Sequence, residues 1–390
     1  MFSARNLFRT ALLGSAIALC AFAAAAQAQP YQILHEFAGP PADGSYPYNN
    51  VSFGSDGTLY GTTNLGGANN AGTVFEITQD GTYTVLHSFD GAAGGSDPNA
   101  GVTLDPSNGD LYGTTTFAGS GGACRGGCGV FYRLSAGGKF KVLHDFTGDD
   151  GRYPAGQLVR DTLGDIYGIA TSGGPGEGGA VFEYSANGNF SILHTFSGAD
   201  GFEPQGSLLL DRAGNLYGAT YAGGTDDYGT IFRLKPNGRL KTLYTFTGGN
   251  DGGNPTGGLD WGDRGTLYGA TNLAGNGSTP NGTVFKLAPD GTLNTLYAFS
   301  GGNDGAYPAG NVLFMGGKAY GTTAGGGADE DGVVYAVDPA NGNETVVHDF
   351  NDTDGAGPQA GLTKYRQHLY GTAASGGSAE FGLVYRVRKE

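Results

Sequence analysis

The chain has 390 residues, with 76 Gly, 22 Tyr and 22 Phe, and a formal charge of −15. Without a Gly-X-Y period this glycine content excludes collagen, and 12% aromatic residues exclude a disordered chain. So acidic a surface is repelled by nucleic-acid phosphates and anionic membranes, and serves solubility.

Residues 1–28 read as a signal peptide. Arg5 and Arg9 form a basic start, Ala11 to Ala26 a small and apolar core, and Ala26-Gln27-Ala28 a small-x-small cleavage site. The apolar run is too short for a stable span, so no membrane span is expected after cleavage. Lipid attachment at Cys20 is disfavoured because Leu19 precedes it. Loss of Arg5 and Arg9 takes the charge from −15 to −17. The chain ends in Arg386-Val387-Arg388-Lys389-Glu390 with no apolar tail. The mature chain, 29–390, is expected to be soluble and exported, to the periplasm or outside the cell.

The mature chain is organised by one element, Leu59-Tyr60-Gly61 within GTLYGTT. It returns at Leu111-Tyr112-Gly113, Ile166-Tyr167-Gly168, Leu216-Tyr217-Gly218, Leu267-Tyr268-Gly269, Ala319-Tyr320-Gly321 and Leu369-Tyr370-Gly371. Successive tyrosines lie 52, 55, 50, 51, 52 and 50 residues apart, which marks a repeat architecture. Each unit holds four strand-like pieces. In the second unit they are Gly101 to Leu104, Asp110 to Thr115, Val130 to Leu134 and Phe140 to Phe146, separated by Gly, Asn and Asp. Seven such units predict an all-β, seven-bladed β-propeller of four-stranded blades spanning 29–390. The chain opens on a fourth strand, Tyr31 to Phe37, and ends on a third, Gly382 to Val387. The N-terminal strand is therefore expected to complete the last blade and close the ring.

Tight turns such as Asp56-Gly57, Asp80-Gly81, Asn237-Gly238 and Asp290-Gly291 join first to second or third to fourth strands. The two longer, variable connections must then emerge together on one face, the expected functional surface. A residue present in every blade serves every blade, whereas a residue peculiar to one is free to be a site. The loop between second and third strands varies most. Its acidic and aromatic residues Asp226, Asp227, Tyr228, Asp329, Glu330, Asp331, Glu380 and Phe381 are the candidate ligand face.

Cys124 and Cys128, in Ala-Cys-Arg-Gly-Gly-Cys, are expected to pair as a disulfide, with no histidine nearby to complete a metal site. The aspartates Asp43, Asp97, Asp150, Asp200, Asp251, Asp304 and Asp354 recur before a proline. Their hard oxygens suit Ca2+. Turn chemistry explains the spacing better in all but the second copy, and no cofactor is expected. His35, His87, His144, His194 and His348 alternate with Tyr244 and Tyr297, which suits a half-buried aromatic with one polar atom. Trp261 lies in an expected inner strand, and His368 stands outside the histidine series on an exposed site. No nucleophile elbow, HExxH helix or phosphate-binding loop occurs.

The succession LYGTT, a GG-containing loop, GTVF and LHxF resembles the GloVer tandem repeat, found in exported bacterial proteins of choice-of-anchor type. The resemblance covers essentially the whole mature chain. It implies an extracytoplasmic repeat protein and transfers no activity or catalytic residue. The expected function is a non-catalytic propeller binding a ligand, an extracellular polysaccharide or an envelope protein through its long-loop face. The alternatives are a polysaccharide lyase or hydrolase using loop carboxylates or His368, and a structural surface module.

Overall fold

The computed structural model describes residues 30–120, 124–273 and 281–389. The expected signal peptide and Cys20 lie outside the described residues. The rest forms seven four-stranded antiparallel sheets and one two-stranded ribbon. Blade 1 is Ser52–Phe53, Leu59–Thr63, Thr73–Ile77 and Tyr83–Ser88, from the axis outwards. Blade 4 has longer inner strands, Phe202–Leu210 and Leu216–Ala222, then Thr230–Leu234 and Leu240–Thr245. Blade 7 is Thr363–Tyr365, His368–Ala373 and Leu383–Arg388, completed by Tyr31–Glu36 from the other end of the chain. The expected closure is present. Tyr31 stacks on His348 of blade 6 at 3.8 Å and donates its hydroxyl to the Asp354 carbonyl at 2.6 Å.

The recurrent Leu-Tyr-Gly has a physical explanation in each residue. A Cβ on Gly61 would stand 2.4 Å from the Phe75 ring, and Gly113, Gly168 and Gly218 meet Tyr132, Phe182 and Phe232 in the same way. The close approach that glycine permits is thus to an aromatic ring of the adjoining strand, inside the blade. The tyrosine reaches between blades: Tyr60 packs with Val74 of its own blade against Leu111 and Tyr132 of the next. Seven such clusters, one at every blade junction, form the core. A register shift between third and fourth strands recurs in every blade, skipping Leu86 in blade 1 and its counterparts elsewhere. Such bulges sharpen the twist and explain why Leu-His breaks strict alternation.

The histidine and aspartate series prove to be one device. His144 and His194 bond Asp150 and Asp200, each at 2.8 Å, and His35 bonds Asp43 at 3.2 Å. Tyr244 and Tyr297 donate to Asp251 and Asp304 at 3.0 and 2.9 Å, and His348 lies 3.2 Å from Asp354. Each aspartate also takes backbone amides of its loop, as Asp150 does from Thr147 at 2.9 Å. The clasp ties an outer strand to the loop leading into the next blade. Asp97 does not belong to this ring. It aligns with Tyr46, the residue before the proline, and Gly94 occupies the clasp position, so His87 keeps only the ring stacking that clasped His35 and His144 also make, on Phe140 at 4.1 Å.

Candidate central binding site

Where the seven inner strands converge, a cavity of about 530 Å³ opens on the long-loop face. Each blade enters it through the same short segment, X-Pro-X followed by Gly, Ala or Asn: Tyr46-Pro47-Tyr48-Asn49 in blade 1, Tyr153-Pro154-Ala155-Gly156 in blade 3 and Glu203-Pro204-Gln205-Gly206 in blade 4. The residue before the proline is left-handed in every blade. Tyr46, Asp97, Tyr153, Glu203, Asn254 and Tyr307 have φ of 56°, 52°, 57°, 55°, 53° and 58°, and Gly357 has 59°. Non-glycine residues adopt this region rarely, and a ring of six has to be held there by surrounding bonds. The bond is the same each time: the strained residue's N–H donates to a carbonyl in the preceding blade's second-to-third loop. Tyr153 takes Cys128 at 2.9 Å, Asn254 takes Tyr228 at 2.8 Å, and Tyr46 takes Phe381 at 2.9 Å. The backbone is thus invariant around the ring while the side chain is free to vary.

Below this rim the wall is backbone-tight. A Cβ on Gly257 would lie 1.6 Å from the Gly310 carbonyl oxygen, one on Gly156 2.1 Å from that of Gly206, and one on Gly310 2.0 Å from the Gly361 nitrogen. Only glycine lets the inner strands close in so far. Polar bridges cross between the inner segments. Gln157 donates across to Ser52 Oγ at 2.7 Å and the Val102 carbonyl at 2.9 Å, and Asn49 donates to the Pro98 carbonyl at 2.7 Å.

The lining is polar yet uncharged. Tyr48, Asn99, Thr116, Tyr153, Gln205, Asn272 and Gln359 face the cavity among small residues, and among the described residues no Asp, Glu, His, Lys or Arg lines it. The Thr116 hydroxyl is buried with no hydrogen-bond partner among the described residues. Tyr153 is packed edge-on by Phe117 at 5.3 Å, and the Arg152 guanidinium lies 5.7 Å over its ring while pairing with Glu177 at 2.6 Å. Tyr46 and Tyr48 lie nearly parallel at 6.4 Å. Amides, hydroxyls and aromatic faces suit a neutral, hydroxyl-rich ligand.

The loop residues singled out in the sequence all lie on the long-loop face, outside the cavity lining. Asp226 bonds the Thr225 hydroxyl, and Asp227, left-handed at φ 63°, accepts the Gly223 amide at 2.8 Å. Tyr228 lies over Gly248 and Gly253 and is 39% exposed. Asp329 is exposed beside the left-handed Glu330, and Asp331 accepts the Asp352 amide at 2.8 Å. Glu380 is likewise left-handed, and Phe381 packs over Gly39 and edge-on to Tyr46. The backbones of Tyr228, Asp331 and Phe381 support the rim, while the carboxylates of Asp226 and Asp227 bond within their own loop. Cys124 and Cys128 form the expected disulfide, with Cα atoms 5.2 Å apart, in the loop that supports Tyr153. Trp261 packs edge-on against Tyr217 at 4.9 Å. His368 is half-buried, contrary to expectation. It begins its strand on the tight-turn side, where burial, with Arg386 and Arg388 nearby, holds its imidazole below the usual range. It therefore stands on the face opposite the loop carboxylates and forms no centre with them. The cavity residues themselves escaped the sequence reading. Their signal was an invariant proline followed by a residue that changes from blade to blade.

Fold and site define a seven-bladed propeller with a neutral central pocket on its long-loop face. The model of the Gloeobacter/Verrucomicrobia repeat matches residues 14–225, 119–278 and 206–390, and the chain belongs to that family. No curated protein matches in sequence. Among solved structures, the extracellular domain of a hybrid two-component system of B. thetaiotaomicron is similar at a TM-score of 0.59 and 10% identity, over 93% of this chain and 41% of that one. The extracellular domain of a one-component system from the same organism gives 0.56 and 12%, over 92% and 42%. This chain thus spans about two fifths of those domains, and the likeness shows the fold alone. A gluconolactonase from Xanthomonas campestris is similar at 0.47 and 14%, over 93% and 96%. Among the described residues no helix is long and apolar enough to cross a membrane.

Proposed function

We propose that this chain is an exported, non-catalytic binding propeller whose central pocket takes a neutral polyhydroxylated ligand, the exposed end of an extracellular polysaccharide. The observation that carries the reading is the uncharged lining of amides, hydroxyls and aromatic faces in a cavity of about 530 Å³. Sugar hydroxyls both donate and accept, which matches Asn, Gln, Thr and Tyr, and their C–H faces rest on aromatic rings. Glycosidic hydrolysis calls instead for two carboxyls flanking the scissile bond, and the described residues of this lining include none. The similar sensor domains are themselves extracellular, in agreement with export. The loops carrying Tyr228 and Phe381 serve this reading as supports of the rim.

A neutral glycan array probed with the purified mature chain tests it. Binding to one or more neutral glycans is expected, lost in Tyr48→Ala and Gln205→Ala variants that melt like the parent. An array with no neutral binder, or binding unaltered in both variants, overturns the proposal.

A further inference from the structure

Blade 4 carries a cationic row that its symmetry mate neutralises. Strand register places Tyr217, Arg233 and Lys241 side by side across three strands, as it places Tyr112, Arg133 and Lys141 in blade 2. Like charges directly opposite in a ladder are destabilising unless something offsets them. In blade 2 that something is Asp110, 3.6 Å from the Arg133 guanidinium. Blade 4 has Asn215 in its place, and the Asn215 amide is turned to Asp211 at 2.7 Å. Asp211 is itself committed, accepting the amides of Ala213 and Asn215 at 2.8 and 2.9 Å and the Tyr217 hydroxyl at 3.3 Å. Asp290, the other carboxylate among the described residues of the cleft lining, caps its turn by accepting the Thr292 amide at 2.9 Å.

Arg233 and Lys241 line a cleft of about 430 Å³ between blades 4 and 5 on the tight-turn side. Its other wall is Trp261 and Arg264, the latter left-handed at φ 58°. Lys235 and Arg239 continue the positive surface along the outer edge. On an otherwise strongly acidic surface, three cations, Arg233, Lys241 and Arg264, share one cleft with a half-buried indole, against the two carboxylates Asp211 and Asp290.

We infer that this cleft is a second binding site, on the face opposite the central pocket, for an anionic sugar. The carboxylate or sulfate of such a sugar pairs with Arg233, Lys241 and Arg264, and the C–H face of its ring lies on Trp261. A guanidinium fork matches a planar oxyanion in two bonds, and the indole supplies an apolar platform. The ligand supplies the negative charge that Asp110 supplies in blade 2.

Trp261 is the chain's single tryptophan, so indole emission reports on this cleft alone. The mature protein is titrated with trigalacturonate, a sulfated disaccharide, maltotriose and sodium sulfate. A saturable emission change is expected with at least one of the two acidic sugars, and which one responds separates carboxylate from sulfate. Affinity should fall about tenfold or more in Arg233→Gln and in Lys241→Gln, and should weaken with added salt. Lys241 is exposed, so its variant should keep the parent's melting temperature and carry the test if the Arg233 variant does not fold. No saturable response to either acidic sugar, an equal response to maltotriose or to sulfate alone, or unchanged affinity in the folded variants overturns the proposal.

Discussion

The amide of Tyr153 donates to the carbonyl of Cys128 at 2.9 Å, so a residue at the mouth of the central cavity hangs on a disulfide-bonded loop of the preceding blade. Tyr153 has a left-handed backbone, and Cys128 is fully buried. The same bond recurs at every blade junction, but only here is its acceptor covalently tethered. Ring closure and binding surface are therefore one construction.

Replacing Cys124 and Cys128 by serine should act on binding more than on folding. The loop closed is short, so the stability lost should be only about 2–3 kcal/mol, and less if the substituted loop keeps its backbone bond to Tyr153. A tether lost beneath a left-handed residue should weaken binding at the central pocket. Melting curves and glycan titrations of the variant check this; unchanged affinity would detach the loop from the site.

Gly257→Ala should be severely destabilising, by more than about 4 kcal/mol, because its Cβ falls on the Gly310 carbonyl and neither inner strand can retreat without opening the ring. Gly137→Ala is the control, since its Cβ meets nothing closer than Ser135 Oγ at 3.9 Å. Soluble yield and chemical denaturation compare the two, and equal behaviour would refute the tight-wall account.

Tyr60→Ala should cost about 2–4 kcal/mol of stability by emptying part of the junction between blades 1 and 2. Ligand affinity at the central pocket should be unaltered, because Tyr60 lies outside its lining. A variant that melts normally but binds poorly would reverse this assignment.

The Asp–His clasps predict the acid limb of stability. Burial alone would raise the Asp150 carboxyl, but the His144 hydrogen bond and the Thr147 amide outweigh it and hold it below the ordinary value. A carboxyl depressed in the fold stabilises fully above its unfolded pKa of about 3.9, and the contribution is lost as pH falls through the folded value. This part of the stability should therefore be steady from neutrality to about pH 5 and decline below about pH 4. Asp150→Asn should melt lower at pH 7 and lose less between pH 5 and pH 3. Thermal melts across that range, parent against variant, decide it; parallel acid limbs would exclude the clasp as their cause.

Much of the fold was legible because its determinants are local. Leu-Tyr-Gly with a facing aromatic, tight Asp-Gly and Asn-Gly turns, and a period near fifty residues specify a hairpin meander. The unmatched strands at the two ends specify how the ring closes. The functional reading was legible only as a face. The histidine and aspartate series looked like two patterns, and their union as clasps required folding the long loop back on the outer strand.

From the sequence alone came the blade count, the strand order within each blade, the closure and the disulfide, since each depends on neighbours in the chain or on a simple count of strands. Tertiary structure alone decided the central cavity. Its lining is gathered one short segment per blade, about fifty residues apart, around an axis that exists only after closure. The left-handed turn at Tyr46 and its counterparts is held by a bond from the blade before, so no local propensity announces it. The cationic cleft had the same origin: Arg233, Lys241 and Trp261 belong to separate strands, and only the packing of blade 4 against blade 5 makes them one site.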